Sequence, residues 1–342
     1  MKKTAKSNLF EIFDAISEKE TLYVPINVNG SANFSVYEKG AEVDLDTLKT
    51  IKSPKDVFFP QSENLYSCNK EEGKIKITPE KLVDEDFVVF GMKACDIKGI
   101  EVLDKVFLSD PVDTFYASRR KHGVIVGLSC SYPEESCFCK IFGIDAASPS
   151  GDVTCHIIGE EVYFEANTEK GEKFLEKIGS FLEDADDAAV ADEKERIKAI
   201  IDKLPYSDLS LEGWNGDVTD EKFDSPIWEE LYKPCLACGT CTFSCPTCQC
   251  YDIKDYDTGH GVKRYRCWDS CMYSDFTMMA HGNNRTSQMQ RFRQRFMHKL
   301  VYFPKNNDGM YSCVGCGRCV DKCPASLNIV KVIKAFGKGG NK

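Results

Sequence analysis

Apolar residues in the first half of the chain fall into short runs separated by helical patterns. Three continuous runs predict β-strands because they are rich in β-branched and aromatic residues: 21–27, 87–95 and 123–130. Residues 96–108 predict a helix, because apolar residues recur at helical spacing: Ile97, Ile100, Leu103 and Phe107. The order strand–helix–strand over 87–130 predicts that the two strands are parallel and close together.

The same patterns divide the chain into two predicted domains. Residues 1–204 are expected to form an α/β domain with a partly parallel sheet, from an amphipathic N-terminal helix to an acidic, alanine-rich bridging helix at 183–204. Residues 205–227 hold the Pro, Gly and Asp of a linker. Residues 228–342 place short helical segments between cysteine groups and predict an α-helical domain, with a frayed end at 336–342.

Composition and charge exclude several classes of protein. The chain is 42% hydrophobic and 29% charged, which is typical of a globular protein. Its apolar runs are shorter than the roughly 18 residues of a membrane span, and Glu11, Asp14 and Glu18 interrupt the apolar positions near the N-terminus. We therefore expect no secretory leader, no membrane partner and a cytoplasmic location. The net charge of −10 argues against a nucleic-acid partner.

The number and spacing of the cysteines are the features of the sequence that indicate a chemical function. The chain has eighteen cysteines, six of them between residues 235 and 250. Disulfides are rare in the reducing cytoplasm, so oxidised pairs do not explain this number. Clustering at short, repeated spacings is typical of metal or iron–sulfur ligation.

One cysteine motif, C-x2-C-x2-C-x3-C-P, occurs at 235–246 and again at 313–324. This run holds 4Fe–4S clusters in bacterial ferredoxins, and its fourth cysteine ligates the other cluster. The first predicted set of ligands is Cys235, Cys238, Cys241 and Cys323. The second predicted set is Cys313, Cys316, Cys319 and Cys245. We expect small loop residues to let the backbone approach the cluster sulfides: Gly239, Gly315 and Gly317. The sequence thus predicts a ferredoxin-like domain with two 4Fe–4S clusters.

Two other interpretations of these motifs are weaker. Zinc ribbons pair C-x2-C groups about 15 to 20 residues apart, whereas the two motifs here lie much farther apart. Cys241, Cys245 and Cys248 have the C-x3-C-x2-C spacing of radical-SAM enzymes. The longer motif already uses two of these cysteines, and nothing around them indicates a barrel.

A third group of cysteines is expected at the edge of the predicted sheet. Cys95 and Cys130 each end a predicted strand, and Cys137 and Cys139 follow on a loop. Open α/β sheets bind ligands at the carboxyl ends of their strands. A third cluster or a zinc ion fits this arrangement, and so does a set of ordinary thiols that includes one redox pair. Cys68 and Cys155 are expected to be free thiols.

Four more cysteines lie between the two motifs: Cys248, Cys250, Cys267 and Cys271. They are candidates for a further metal site or for buried thiols that shield a cluster from water. A basic amphipathic helix is predicted at 285–300, with four cationic residues: Arg285, Arg291, Arg295 and Lys299. These cations either raise the potential near anionic clusters or dock an acidic partner.

Several segments resemble the iron–sulfur beta subunit of cytoplasmic nickel–iron sulfhydrogenases and the A subunit of anaerobic sulfite reductases. The segments are CDIKGIEVLDKVF (95–107), DTFYASRR (113–120), CFCKIFG (137–143), CLACGTCTFSCPTCQCYD (235–252), WDSC (268–271), RFRQRFMHK (291–299) and CVGCGRCVDKCP (313–324). The resemblance implies a subunit that passes electrons between a flavoprotein using NAD(P)H and a separate catalytic subunit. It favours a third 4Fe–4S cluster at the sheet edge, and it leaves Cys267 outside the family pattern.

Three classes of function fit these observations. The leading one is electron transfer, because clusters change charge by one electron without bond chemistry. The alternative is a self-contained iron–sulfur reductase with substrate at an open iron. Four thiolates per cluster leave no open iron, however, and the chain has no G-x-G-x-x-G fingerprint for a dinucleotide. A structural scaffold is the third class. Three kinds of complex are compatible with the sequence as the source of the catalytic partner: hydrogenase-like, sulfite-reductase-like and electron-bifurcating complexes.

Overall fold

The strands of the chain form two larger sheets and one short pair. The structure is a computed structural model that describes residues 1–71, 73–214 and 219–337; residues 215–218 of the predicted linker and 338–342 of the predicted frayed end lie outside the described residues. In the described part the strands are β1 (Lys2–Ala5), β2 (Thr21–Val28), β3 (Ser31–Val36), β4 (Ser62–Glu71), β5 (Lys74–Pro79), β6 (Phe87–Met92), β7 (Gly123–Leu128), β8 (Val153–Ile158), β9 (Glu161–Ala166), β10 (Glu183–Asp184), β11 (Tyr251–Asp257), β12 (Gly261–Trp268), β13 (Met278–Met279) and β14 (Gly282–Asn283).

The helices are mostly short in the second half of the chain. In the described part they are α1 (Leu9–Ser17), α2 (Lys55–Phe58), α3 (Ala94–Phe107), α4 (Thr114–His122), α5 (Glu169–Lys177), α6 (Ala188–Ile201), α7 (Thr219–Phe223), α8 (Ile227–Leu231), α9 (Thr240–Phe243), α10 (Gln288–Met297), α11 (Phe303–Asn306), α12 (Arg318–Asp321) and α13 (Ile329–Phe336). None of the helices in the described ranges is both long and apolar enough to cross a bilayer.

The larger sheet has eight strands in the order β10-β1-β9-β8-β7-β6-β2-β3. Its centre is parallel: β2 pairs with β6, β6 with β7, and β7 with β8. Strands β6 and β7 are the two for which the sequence predicted a parallel pair, and α3 connects them. Both strands are buried along their whole length, which explains their continuous apolar runs. The predicted α/β region with a partly parallel sheet is confirmed.

Helices cover both faces of this sheet. On one face, Phe13 of α1 packs edge-on against Phe90 of β6, with ring centroids 5.0 Å apart. On the other face, the apolar side of α3 packs against Phe87 and Val89. The predicted bridging helix is present as α6, but it is not solvated on all sides. Ile197 and Ile201 are buried against Cys130 and Cys139, because its apolar positions share one face.

The smaller sheet joins the two halves of the chain. Its order is β11-β12-β4-β5, with all pairs antiparallel, so each half contributes two strands. At its base the indole Nε1 of Trp268 donates to the carbonyl of Phe59 at 3.0 Å. The prediction of helices alone beyond residue 228 missed the hairpin β11–β12. The limits of the predicted domains at 204 and 228 stay a prediction.

Candidate iron–sulfur sites

The first predicted set of cysteines lines one cavity. Cys235, Cys238 and Cys241 lie on the loop that leads into α9, and Cys323 reaches the same cavity from the loop after α12. Apolar side chains complete the wall: Met272, Phe292, Phe296 and Leu327. Cys238 is exposed, so this cavity lies near the protein surface. Four thiols around an apolar pocket fit the ligand set of a 4Fe–4S cluster.

The second predicted set lines a separate, deeper cavity. Cys313, Cys316 and Cys319 come from the loop that leads into α12, and Cys245 crosses over from the first motif. Apolar residues on its wall are Phe138, Val314 and Ile329. Cys316 is 9% exposed. Each cavity is therefore lined by the first three cysteines of one motif and the fourth cysteine of the other, and cluster ligation by these sets stays a prediction.

The loop glycines also meet a requirement of the protein backbone itself. Gly239 and Gly317 precede α9 and α12 with φ of 74° and 79°, a left-handed conformation that favours glycine. A Cβ on Gly317 would lie 2.6 Å from the carbonyl oxygen of Ser136. These glycines therefore permit a tight turn against neighbouring protein segments. The expectation that they also let the backbone approach the cluster sulfides stays a prediction.

Arg295 of α10 lies on the walls of both cavities. Its Nε donates to the sulfur of Cys241 at 3.2 Å and its Nη2 to the Cys241 carbonyl at 2.7 Å. The residue is 2% exposed, and Nη1 has no hydrogen-bond partner among the residues that the structure describes. Within the described residues no carboxylate pairs with it. A buried cation needs a compensating anion, so this arrangement fits a thiolate-bound cluster.

Lys299 occupies the equivalent place one turn later, in the π-helical segment His298–Tyr302. Its Nζ contacts the Cys245 sulfur at 3.5 Å and donates to Thr247 Oγ1 at 2.7 Å and the Ser312 carbonyl at 2.9 Å. Burial alone would lower the pKa of Lys299, but the sulfurs of Cys245 and Cys248 raise it above its usual value. Arg295 and Lys299 are thus too deeply buried to dock a partner protein, and they face the thiols.

Burial also acts on the thiols themselves. It raises the pKa of Cys313 to about 12, and the pKa of Cys319 also rises for that reason. Free thiols in this environment hold their protons at neutral pH, and a metal centre must displace those protons to bind. Among the described residues, no three or more His, Cys, Asp or Glu side chains are grouped so as to hold one metal ion.

The sheet-edge cysteines converge close to the second cavity. Cys95 is in the first turn of α3, Cys130 follows β7, and Cys137 and Cys139 lie on the next loop. Cys130, Cys137 and Cys139 are 7–8% exposed. Burial, followed by the nearby sulfurs of Cys130 and Cys137, raises the pKa of Cys139 to about 12. Burial raises the pKa of Cys95 as well, and the neighbouring charges of Asp96 and Cys316 act in the same direction.

Two contacts join this group to the second cavity. The amide of Phe138 donates to the carbonyl of Gly315 at 2.9 Å. A Cβ on Gly315 would lie 2.5 Å from the Phe138 backbone, so the two loops touch without side chains between them. The sheet edge and the second motif therefore form one packed unit.

The remaining cysteines separate into three places. Cys248 lies beside Cys245, and Cys250 lies beside Cys271. Cys267 is apart from them on β12, where burial and the charges of Lys254 and Asp252 affect its pKa. The other two thiols lie within the sheets, Cys68 in β4 and Cys155 in β8.

The sequence reasoning overlooked two buried lysines near these thiols. Lys55 is 2% exposed and lies next to Cys248, and Lys93 is 8% exposed and lies near Cys130. The sequence positions of these lysines could have indicated their burial, because each one lies within an apolar segment: SPKDVFF for Lys55 and VFGMKAC for Lys93.

Comparison with known proteins agrees with this geometry. A family of 4Fe–4S dicluster domains matches residues 234–327, which include all eight cysteines of the repeated motifs. The chain is 34% identical over 335 residues to sulfhydrogenase 2 subunit beta of Pyrococcus furiosus, and the match covers 96% of each protein. No solved structure matches the chain. The predicted family is confirmed: the chain belongs to the sulfhydrogenase beta subunits and carries a 4Fe–4S dicluster domain.

Proposed function

We propose that this chain relays electrons between a flavoprotein subunit that uses NAD(P)H and a catalytic redox subunit of a hydrogenase-type complex. The observation that carries the proposal is a continuous row of three thiol groups. Arg295 forms a wall shared by the first and second cavities. The Phe138–Gly315 contact joins the second cavity to the sheet-edge group. Such a row suits transfer of electrons across the protein.

In this proposal each predicted set of cysteines holds one 4Fe–4S cluster. The first set is Cys235, Cys238, Cys241 and Cys323. The second set is Cys313, Cys316, Cys319 and Cys245. A third cluster is proposed at Cys95, Cys130, Cys137 and Cys139. A bound 4Fe–4S cluster supplies a centre that gains and loses one electron with little rearrangement.

The protein contributes exclusion of water and fixed charge. Apolar side chains of α10 and α13 surround the two cavities and keep solvent from the deeper one. Arg295 and Lys299 favour added negative charge at Cys241 and Cys245, because they are cations with no carboxylate partner in the described residues. Cys238 is exposed, so the first cavity is the proposed point where a partner subunit exchanges electrons.

The alternative of a self-contained reductase is less well supported. Each of the two cavities presents four thiols, which leaves no iron position for a substrate. The chain also lacks the glycine-rich fingerprint for a dinucleotide. A partner must therefore supply the flavin and the nicotinamide site. We also propose a cytoplasmic location, because all eighteen cysteines are unpaired thiols.

Anaerobic purification with assay of iron and acid-labile sulfide tests the ligand assignment. The two repeated motifs predict about eight irons, and the sheet-edge group predicts about four more. Cys316→Ser is expected to remove the signal of the second cluster from the EPR spectrum of the dithionite-reduced protein. If Cys316→Ser kept every signal and the full iron content, the assignment of the second cavity would be wrong.

A further inference from the structure

A short segment of the first half of the chain lies between the sheet-edge cysteines and the second repeated motif. We call this segment, residues 49–51, the strap. The amide of Ile51 donates to the carbonyl of Ala32 in β3 at 3.0 Å, so the large sheet anchors one end of the strap. The side chain of Lys49, at the other end, is 8% exposed. A cationic side chain is therefore buried where two groups of predicted cluster ligands meet.

Lys49 holds the turn that carries Cys137. The amide of Cys137 donates to the carbonyl of Glu134 at 2.9 Å, which closes a turn over 134–137. Nζ of Lys49 lies 2.8 Å from the carboxylate of Glu134 and donates to the hydroxyl of Ser136. Two of the turn residues thus bind one ammonium group, so the backbone next to Cys137 is fixed relative to the strap.

The same ammonium group holds the second repeated motif. Nζ of Lys49 lies 2.6 Å from the carboxylate of Asp321, the last residue of α12. At the start of that helix, Nε of Arg318 donates to the Thr50 carbonyl of the strap at 3.1 Å. Cys319, a predicted ligand of the second cluster, lies between these two contacts along the helix. The strap therefore binds both ends of α12.

The turn and α12 pack closely around this ammonium group. A Cβ on Gly317, directly before α12, would lie 2.6 Å from the carbonyl oxygen of Ser136 and 2.8 Å from Nζ of Lys49. The carboxylates of Glu134 and Asp321 thus approach one cation from opposite sides of a narrow junction. Their side chains are 49% and 38% exposed, so water can solvate both if the cation is removed. Loss of Lys49 is therefore expected to open the junction by repulsion between the carboxylates rather than to unfold the chain.

We propose that Lys49 is a positioning residue that fixes the separation between the sheet-edge group and the second cavity. The inference rests on the proposed function, in which electrons pass across this junction between the proposed third cluster and the second cluster. Electron transfer slows steeply as the separation of two centres grows, so a cation that binds both sides of the junction serves the relay. Lys49 acts through neighbours of predicted ligands, because Ser136 precedes Cys137 and Asp321 follows Cys319 by two residues.

The substitution Lys49→Met tests this role by a measurement that does not involve electron transfer. The amide of Phe138 donates to the Gly315 carbonyl at 2.9 Å across the same junction. Hydrogen exchange at this amide is followed by mass spectrometry in the anaerobic native protein and in the variant. We expect exchange to be at least about tenfold faster in Lys49→Met, because the bond opens more readily. An unchanged exchange rate would overturn the proposal.

Lys140→Met is the matched control. Lys140 directly follows Cys139, but its partner is Asp202, directly after α6, at 2.6 Å. This variant is expected to keep the native exchange rate, and equal acceleration in both variants would overturn the proposal. If Lys49→Met does not fold, Asp321→Asn replaces it, because that substitution removes only the link to α12. Faster exchange at the same amide is again expected, and the native rate would contradict the role of Lys49.

Cluster spectra separate this inference from the proposed function. When neighbouring clusters are both reduced, their spins couple, and the coupling weakens steeply with distance. The fully reduced native chain is therefore expected to show an EPR splitting that becomes smaller in Lys49→Met at unchanged iron content. Unchanged splitting would overturn the inference and leave the electron relay in place. A native chain with about eight irons and no third signal would instead remove the proposed third cluster, and the exchange rates alone would then decide whether Lys49 positions the two loops.

Discussion

Arg318 and Asp96 form a buried ion pair in which Nη1 and Nη2 of the arginine donate to the two carboxylate oxygens at 2.6 and 2.8 Å. Arg318 begins α12, directly after the loop that holds Cys316, and Asp96 follows Cys95 in α3. The two residues are 1% and 2% exposed. This pair therefore holds the second cavity at a defined position relative to the sheet-edge cysteines.

Loss of the arginine charge should destabilise the protein strongly. Arg318→Met is expected to lower the free energy of unfolding by about 3–5 kcal/mol, because the Asp96 carboxylate is then buried without a partner. The control is Arg264→Met, whose pair with Asp255 at 2.7 Å is exposed and is expected to contribute under about 1 kcal/mol. Anaerobic thermal unfolding measures both changes. Equal losses in the two variants would show that the buried pair has no special structural role.

Arg295 should set the reduction potential of the cluster at Cys241. Arg295→Gln removes a buried positive charge that favours the reduced, more negative state, so the potential is expected to fall. A loss of roughly 2–4 kcal/mol of interaction corresponds to roughly 80–170 mV for one electron. EPR-monitored potentiometry measures the shift.

The control for this prediction lies two residues away on the same helix. Arg293 donates to the Phe223 carbonyl at 3.0 Å and stacks on the Phe223 ring, away from the thiols. Arg293→Gln is expected to leave the potentials unchanged. A shift of the same size in both variants would indicate a general effect of helix charge rather than the contact with Cys241.

The sheet-edge cysteines predict a separate loss of iron. Cys139→Ser should remove about four irons per chain and leave the dicluster EPR signals in place, because the sheet-edge group has its own ligands. Cys68→Ser is the control, since Cys68 lies in β4 outside every thiol group. Iron analysis by mass spectrometry compares the two. If Cys139→Ser kept the native iron content, the sheet-edge cysteines would be ordinary thiols that hold no cluster.

His156 should make the protein sensitive to acid. It is fully buried in β8, and in the described part of the chain neither ring nitrogen has a hydrogen-bond partner. Burial lowers its pKa to about 4. The unfolded chain binds this proton near pH 6.5. Between pH 6.5 and 4 the unfolded state thus holds a proton that the native state lacks. The free energy of unfolding therefore decreases as the pH is lowered, by roughly 3 kcal/mol from pH 6.5 to pH 4.

A substitution isolates this contribution. His156→Phe is expected to show a smaller drop in Tm between pH 7 and pH 4.5 than the native chain. His281→Phe is the control, because His281 is exposed on the turn between β13 and β14. The same pH dependence in native chain and His156→Phe would assign the acid sensitivity to other groups.

Cysteine spacing was the most informative part of the sequence. A C-x2-C-x2-C loop is a local constraint, so its geometry survives whatever tertiary contacts surround it. Cys245 and Cys323 each line the cavity of the other motif. The parallel pair β6–β7 was predictable for the same reason, because the helix between them has clear periodicity. These features depend on residues close together along the chain.

The features that were missed depend on distant residues. The Nζ of Lys55 is covered by the ring of Trp268 at 4.0 Å and donates to the carbonyl of Cys248, and both of these residues are far away in sequence. Strand β12 pairs with β4 from the first half, and β11 pairs with β12 at the edge of the sheet. The exposed, mixed polar surface of β11 weakens the alternation that marks a strand. Periodicity reports neighbours along the chain, so it does not show contacts of this kind.

Reversible redox titration tests the central claim most directly. The anaerobic native chain is titrated with dithionite and a mild oxidant, and EPR spectra are recorded at each potential. Electron transfer predicts that the signals of both dicluster clusters appear and disappear reversibly, each as a one-electron step. Clusters that are present by iron analysis but never reduce reversibly would contradict the account and indicate a structural scaffold.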